Sequence, residues 1–162
     1  MELILDRCGG ASFRTEAQAR RCAPADFDAM FALQNEVRAQ MPQPDQYIPS
    51  TEPELRQDLE ESLCIGIWAP GGELAAYSVL RYCGEGEHNY ARSMDVPASD
   101  LRYWANGDSV VVSPRWRGNR LQRRLLRLAA EWRRPEIIGI GCTVSPENRY
   151  SLENLKAAGF TV

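Results

Sequence analysis

The sequence is short of the residues that several kinds of chemistry require. It holds one histidine, His88, so no His-based zinc site can be assembled, and a Ser-His or Cys-His nucleophile would depend on one loop residue. The five cysteines, Cys8, Cys22, Cys64, Cys83 and Cys142, are odd in number and scattered, with no CxxC pair. That excludes a disulfide framework and marks them as reduced packing residues. No apolar run approaches the ~18 residues of a membrane span. The N-terminal MELILDRCGG lacks a basic stretch followed by an apolar one, as a secretory signal would have. These absences predict a cytoplasmic protein with no metal and no membrane partner. Repeats and low-complexity tracts are also missing, and the cluster Pro42, Pro44, Pro49 and Pro53 is too short for an interdomain linker. One domain over residues 1–162 is expected.

What is present is ordinary globular material: 162 residues, 44% hydrophobic and 25% charged. A chain of this size buries roughly two-thirds of its unfolded surface and needs no staple to hold a core. Net charge is −3, but it is unevenly spread. Arg115 to Arg134 carries eight arginines against the single Glu131, a balance of +7, which leaves −10 on the rest of the chain. Such a basic segment is a solvated helix face, a nucleic-acid footprint or a pocket for a phosphorylated ligand, and composition does not choose among them.

Periodicity supplies the element order. A first strand is expected within residues 12–22. A helix follows from Pro24 to about Gln40, with Phe27, Met30, Phe31, Gln34 and Val37 along one side. Thr51 and Glu54 form a capping box ahead of Leu55, Leu59 and Leu63 on a second helix. Cys64–Trp68 and Leu74–Tyr82 read as a hairpin closed by Pro70-Gly71-Gly72, and residues 84–106 as loop. Asp108–Ser113 is a buried strand stopped by Pro114. The next helix carries Leu121, Leu125, Leu128, Ala129 and Trp132 on one face, with its arginines mostly on the other. Ile137–Thr143 is another strand, Ser145-Pro146 opens a last helix ending at Gly159, and a final strand starts at Phe160. The sum is a mixed α/β (α+β) fold.

The most informative stretch is VVVSPRWRGNRLQRRLLR, residues 110–127. A buried strand runs through a turn containing Gly118 into a helix whose first N–H groups are unpaired, and Arg117, Arg120 and Arg123 add charge around them. That is either an anion site for a pyrophosphate or a plain strand-helix connection with a solvated arginine face.

These residues resemble the GCN5-related N-acetyltransferases (GNAT), which bind acetyl-CoA across a strand, a Q/R-x-x-G-x-G/A turn and a helix. Arg117-Gly118-Asn119-Arg120-Leu121-Gln122 matches the hexapeptide, Val110-Val111-Val112-Ser113-Pro114 the strand before it, and Leu125-Leu126 the apolar pair after it. Ser145-Pro146-Glu147-Asn148, followed by Ser151, Leu152, Asn154, Leu155 and Gly159-Phe160, resembles the family's second motif. The resemblance covers essentially the whole chain. It implies the acyl-CoA N-acyltransferase fold: a central mixed, mostly antiparallel sheet flanked by helices on both faces. It implies acetyl-CoA as cosubstrate, with Val110, Val111 and Val112 pairing by backbone with the pantetheine arm. Arg117, Gly118, Asn119, Arg120, Leu121, Gln122 and Arg123 would cradle the pyrophosphate, and Asn148 would lie near the thiol. The final strands would be incomplete at Val162, to be supplied by further chain or by a partner in a homodimer.

Departures from the pattern carry their own expectations. Arg120 and Gln122 replace small residues of the turn, and helical residues after Gly118 would point those side chains outward. Leu155 stands where many relatives have a tyrosine that protonates the CoA thiolate, leaving water, the helix dipole or Ser151 on the same helix face to substitute. Asp108, on the face of Val110 and Val112, is the candidate base for the amine, or else a solvated strand-end carboxylate. Thr143 cannot act as a strong base, and the Val112 N–H is the expected donor to the acyl oxygen. The acceptor pocket would involve Met41–Ser50 with Tyr47, and Tyr90, Tyr103 and Trp104. The reading is an acetyl-CoA-dependent N-acetyltransferase that moves acetyl to a primary amine of a small molecule or peptide by direct attack. The alternatives are a catalytically weak acyl-CoA-binding module and, last, nucleic-acid binding through the arginine helix.

Overall fold

A computed structural model describes residues 1–6, 14–41 and 47–161. The described residues form a six-stranded sheet in the order β1-β2-β3-β4-β5-β6. Its strands are β1 (Glu2–Asp6), β2 (Arg14–Arg21), β3 (Leu63–Ala69), β4 (Glu73–Arg81), β5 (Trp104–Val112) and β6 (Gly139–Cys142). Pairing is antiparallel from β1 to β5 and parallel between β5 and β6. A parallel pair needs a long crossover, and helix α3 (Leu121–Trp132) supplies it.

Helices cover both faces because both faces of the central strands are apolar. α1 (Phe27–Ala39) and α2 (Glu52–Glu61) bring Phe27, Met30, Leu33, Leu55 and Leu59 against Cys64, Tyr77, Val79 and Val111. On the other face α3 packs Leu121, Leu125, Leu128 and Ala129 with Trp116 against Ile65, Ile67 and Leu80. The last helix, α4 (Arg149–Ala157), packs against α3. The expected capping box forms: Thr51 N donates to Glu54 Oε2 at 2.7 Å. At the other end of the chain Gly159 takes φ 97°, and Phe160 N donates to Leu155 O while Gly159 N donates to Lys156 O. This Schellman cap satisfies the final carbonyls of α4.

Four expectations are corrected. The strand in residues 12–22, expected to be the first, is β2, and β1 precedes it, paired from Glu2↔Gln18 to Asp6↔Arg14. The stretch 84–106 is not all loop: it holds 3-10 turns at Tyr90–Ser93 and Ala98–Tyr103, and β5 starts at Trp104, four residues before Asp108. Helix α4 starts after Asn148 rather than at Ser145-Pro146, because the Asn148 side chain accepts from Ser151 N at 3.0 Å and acts as the cap. Among the described residues no strand begins at Phe160, whose N–H closes the helix cap instead. Cys8, Pro42 and Pro44 lie outside the described residues, and Cys22, Cys64, Cys83 and Cys142 are free thiols. Burial pushes the Cys22 thiol up to about 12 and the Cys142 thiol up to about 11, as expected of packing residues.

Candidate active site

β5 and β6 pair only from Trp104↔Gly139 to Gly107↔Cys142. β5 continues to Val112 while β6 stops at Cys142, so the two strands part like the arms of a Y. Beyond the split, β5 has no strand on its β6 side among the described residues, and a bare strand edge can bond an extended ligand. The split has a local cause. A Cβ added to Gly107 would sit 2.5 Å from Cys142 Sγ, so only glycine fits where the pairing ends. Immediately after, the β4 pairing jumps from Leu80↔Gly107 to Val79↔Ser109, which makes Asp108 a bulged residue that bends the strand. A cavity of about 620 Å³ fills the gap, walled by Val110 and Val111 of β5, Gln122 and Leu126 of α3, and Ser151 and Leu155 of α4. That volume suits a small-molecule site.

At the start of α3 several backbone donors lie ahead of the helix's own hydrogen bonds. Gly118 has φ 85° and Arg120 has φ 56°, two left-handed residues ahead of the first helical position. Alternation of this kind turns successive N–H groups toward one concavity. Arg120 is the helix cap residue, with no side-chain hydrogen bond to the helix, so the Leu121, Gln122 and Arg123 N–H groups precede the intrahelical ladder, which opens with Arg124 N to Arg120 O at 3.0 Å. Arg120 and Arg117 are solvent-exposed.

Several expected side-chain roles shift here. Leu121 is buried at 2% exposure in the core, leaving only its backbone for a ligand. Asn119 binds β1 by both ends of its amide: Oδ1 accepts from Asp6 N and Nδ2 donates to Asp6 O, each at 2.7 Å. Gln122 points inward, contrary to expectation. Its Nε2 donates to Ser151 Oγ at 2.8 Å and its Oε1 accepts from Asn154 Nδ2 at 2.8 Å. Helix α3 begins at Leu121, so Gln122 shares its α4-facing side with Leu126, four residues on. Of the expected cofactor residues, Val110, Val111, Gln122 and Asn148 line the cavity. The turn lies beyond its edge, and Val112 packs on the α3 side of the sheet.

The opposite end of the cavity is charged. Asp108 does not share the face of Val110 and Val112, because the bulge turns it toward α2. Arg81 Nη1 donates to Asp108 Oδ1 at 2.9 Å, Tyr90 Oη donates to the same oxygen at 3.2 Å, and Ser109 Oγ donates to Oδ2 at 3.1 Å. Arg81 in turn grips Asp58 of α2 through Nε at 2.6 Å and Nη2 at 2.7 Å, and these carboxylates push its guanidinium pKa up. Burial, and then the Asp108 charge, push the Tyr90 phenol up. Three of the roughly four lone-pair positions of the Asp108 carboxylate are filled, which leaves one for a donor arriving through the cavity. Arg81 and Asp58 escaped the sequence reading. The available signal was a lone arginine closing the apolar run Leu74–Leu80.

Met41 and Tyr47–Ser50, from the stretch expected to form an acceptor pocket, line the cavity, with residues 42–46 outside the described ones. Tyr90 lines it too, whereas Tyr103 and Trp104 do not. Trp104 covers Gly139 instead. Part of the arginine segment is tied into the fold. Arg115 pairs with Glu73 at 3.4 Å, Arg133 bonds the Ile137 and Ala130 carbonyls, and Arg134 lies over the Tyr82 ring at 4.0 Å.

No protein-family model matches the sequence, and no curated protein is similar to it in sequence. Solved structures do match in shape. An acetyltransferase of the GNAT family from Streptococcus pneumoniae superposes with a TM-score of 0.66, over 90% of this chain and 84% of its own, at 19% identity. The chain carries the GNAT acetyltransferase fold. Another GNAT-fold structure, the aminoglycoside N-acetyltransferase AAC(6')-Iy in complex with CoA, gives a TM-score of 0.67 at 14% identity over 91% of this chain and 90% of its own. An aminoglycoside acetyltransferase from an uncultured soil metagenomic sample, in complex with sisomicin, gives 0.62 at 11% identity over 90% and 89%. The GNAT fold was the architecture expected from the turn after β5 and the segment from Ser145 to Phe160. Among the described residues no helix is long and apolar enough to cross a membrane, and no group of three or more His, Cys, Asp or Glu side chains could hold a metal.

Proposed function

We propose that this chain is an acetyl-CoA-dependent N-acetyltransferase that moves acetyl to a primary amine of a small molecule or peptide by direct attack. The carrying observation is the cavity at the β5/β6 split, which has a bare strand edge on one side and a carboxylate with one open acceptor position at its end. The fit to a pyrophosphate rests on the left-handed pair Gly118 and Arg120 and the uncapped start of α3. In this reading the Gly118–Arg123 backbone holds the pyrophosphate, with Arg117, Arg120 and Arg123 adding charge. The Val110, Val111 and Val112 backbone pairs with the pantetheine arm. Asn148 contributes its free Nδ2, since its Oδ1 is engaged as the α4 cap. Asp108 orients the amine and accepts its proton. Ser151, whose oxygen accepts from Gln122, lines the cavity wall beside the thiol. The small-molecule acceptor agrees with the sisomicin complex among the structural neighbours.

The test is a thermal shift with acetyl-CoA, CoA and a polyanion control, then thiol release against pooled primary amines. A site on the native state raises stability by about 2.7 kcal/mol at one hundred times Kd. Stabilisation by both forms of CoA with amine-dependent thiol release supports the transferase. Stabilisation without release favours a CoA-binding module, and no stabilisation overturns the reading.

A further inference from the structure

Direct attack by a neutral amine on a thioester leaves a positive nitrogen and a negative sulfur side by side. The cleft therefore has to carry one proton from nitrogen to sulfur. A side chain that gives a proton to a thiolate should have a pKa near that of a thiol, about 8.5; a phenol at about 10 comes close. Of the two phenols on the cavity wall, Tyr47 is pushed up to about 12 by burial and hydrogen-bonds no carboxylate.

Tyr90 differs from it in position and in partner. Its phenol bonds Asp108 Oδ1 at 3.2 Å, and the two residues stand where the cavity at the strand split meets a second one of about 690 Å³ that runs between α2 and residues 83–93. Glu54, Arg81, Tyr90 and Asp108 line both. An acyl donor lying along β5 and an amine entering from the second cavity therefore meet at this pair. Arg81 fixes the carboxylate through the 2.9 Å contact and is itself fixed by Asp58.

Resting on the transferase reading above, we infer that Tyr90 is the catalytic acid for the departing thiol and that Asp108 resupplies its proton. The nitrogen lone pair forms the new C–N bond, and the C–S bond breaks with its electron pair on sulfur. The phenolic hydrogen turns from Asp108 to the sulfur as the thiolate leaves. The proton shed by nitrogen goes to the Asp108 carboxylate and returns along the Oη–Oδ1 contact to the phenolate oxygen. The two side chains end the cycle as they began, and no other reactant is needed. Burial and the Asp108 charge keep the phenol protonated until that moment.

The experiment compares wild type, Tyr90→Phe and a protein with 3,5-difluorotyrosine at position 90, whose phenol is more acidic. Acetyl-CoA is the donor; sisomicin, spermidine and a pooled set of primary amines are the acceptors. Tyr90→Phe should lower kcat by about 100-fold or more, the range of one general acid. It should keep KM for acetyl-CoA within about twofold of wild type and retain stabilisation by CoA. The fluorinated protein should stay active, with the alkaline limb of its kcat profile moved to lower pH. A Tyr90→Phe kcat within about threefold of wild type overturns the inference, as does an unmoved alkaline limb. Loss of CoA stabilisation together with activity assigns Tyr90 a structural role and overturns it too. If wild type binds CoA but releases no thiol with any amine, the transferase reading itself falls and takes this inference with it.

Discussion

Arg81 and Asp108 meet at 2.9 Å across the β4/β5 pair, and the same guanidinium holds Asp58 of α2 with two shorter contacts. One arginine thus ties a helix on the sheet's face to the bulge that ends the strand pairing. The side chains are 29%, 5% and 14% exposed for Arg81, Asp58 and Asp108, so water screens the group only in part. Arg81→Met should leave two half-buried to buried carboxylates without their partner. The expected cost is about 2 to 4 kcal/mol, below the full range for a wholly buried pair because Arg81 is partly wet. Urea unfolding at pH 7 measures it. A loss under about 0.5 kcal/mol would mean that the network is ornamental to stability.

Arg120 is the one non-glycine among the described residues with positive φ, at 56°. A left-handed L-residue costs about 1 to 2 kcal/mol, and glycine returns part of that gain through its looser unfolded chain. Arg120→Gly should therefore be neutral to about 1 kcal/mol more stable, while affinity for CoA falls several-fold with the lost charge beside the α3 start. Thermal unfolding with and without CoA separates the two effects. A destabilised variant that binds CoA as before would contradict both.

Asp26 precedes α1 and accepts from Arg20 Nη1 and Nη2 at 2.7 Å each. That bidentate bond holds the Asp26 carboxyl below its ordinary value. With the folded value depressed, its stabilisation is fully present above the unfolded value of about 3.9 and disappears as pH falls through the folded one. Asp26→Asn should cost stability at pH 7, and the gap to wild type should close below about pH 4. Denaturant midpoints at pH 7, 5 and 3 check the trend. A gap that is constant with pH would place the contribution in packing rather than charge.

Local signals made most elements legible. The apolar face of α3, the Thr51/Glu54 cap and the β3/β4 hairpin follow from spacing of a few residues, and all three are present. What failed depends on distant partners. The start of β5 at Trp104 was hidden because Asn106 and Gly107 break the apolar pattern; Asn106 is buried at 3% and bonds the His88 carbonyl and Tyr90 N across the adjacent loop. Simple alternation placed Asp108 with Val110 and Val112, and a one-residue bulge against Val79 and Leu80 reverses that. Gln122 was expected outside because the sequence cannot show where α4 packs. The cavity's charged end is assembled from α2, β4, β5 and the turn at Tyr90, and no window of sequence contains all four.

The strand split itself is open to test at Gly107. Its position leaves no room for a methyl group, since a Cβ would approach Cys142 Sγ to 2.5 Å. Gly107→Ala should force β6 away from β5, at a cost of about 1 to 3 kcal/mol typical of overpacking, and should widen the mouth where the two cavities meet. Cys142 is a free thiol that no step of the proposed chemistry uses, so it can be shortened to relieve the clash. Cys142→Ala alone should cost little more than its lost packing. The double variant should recover most of the Gly107→Ala loss, giving a favourable coupling of about 1 kcal/mol or more in a double-mutant cycle. Additive effects would mean that the strands adjust without touching at this point. The parting of β5 and β6 would then have to be set by the Asp108 bulge alone.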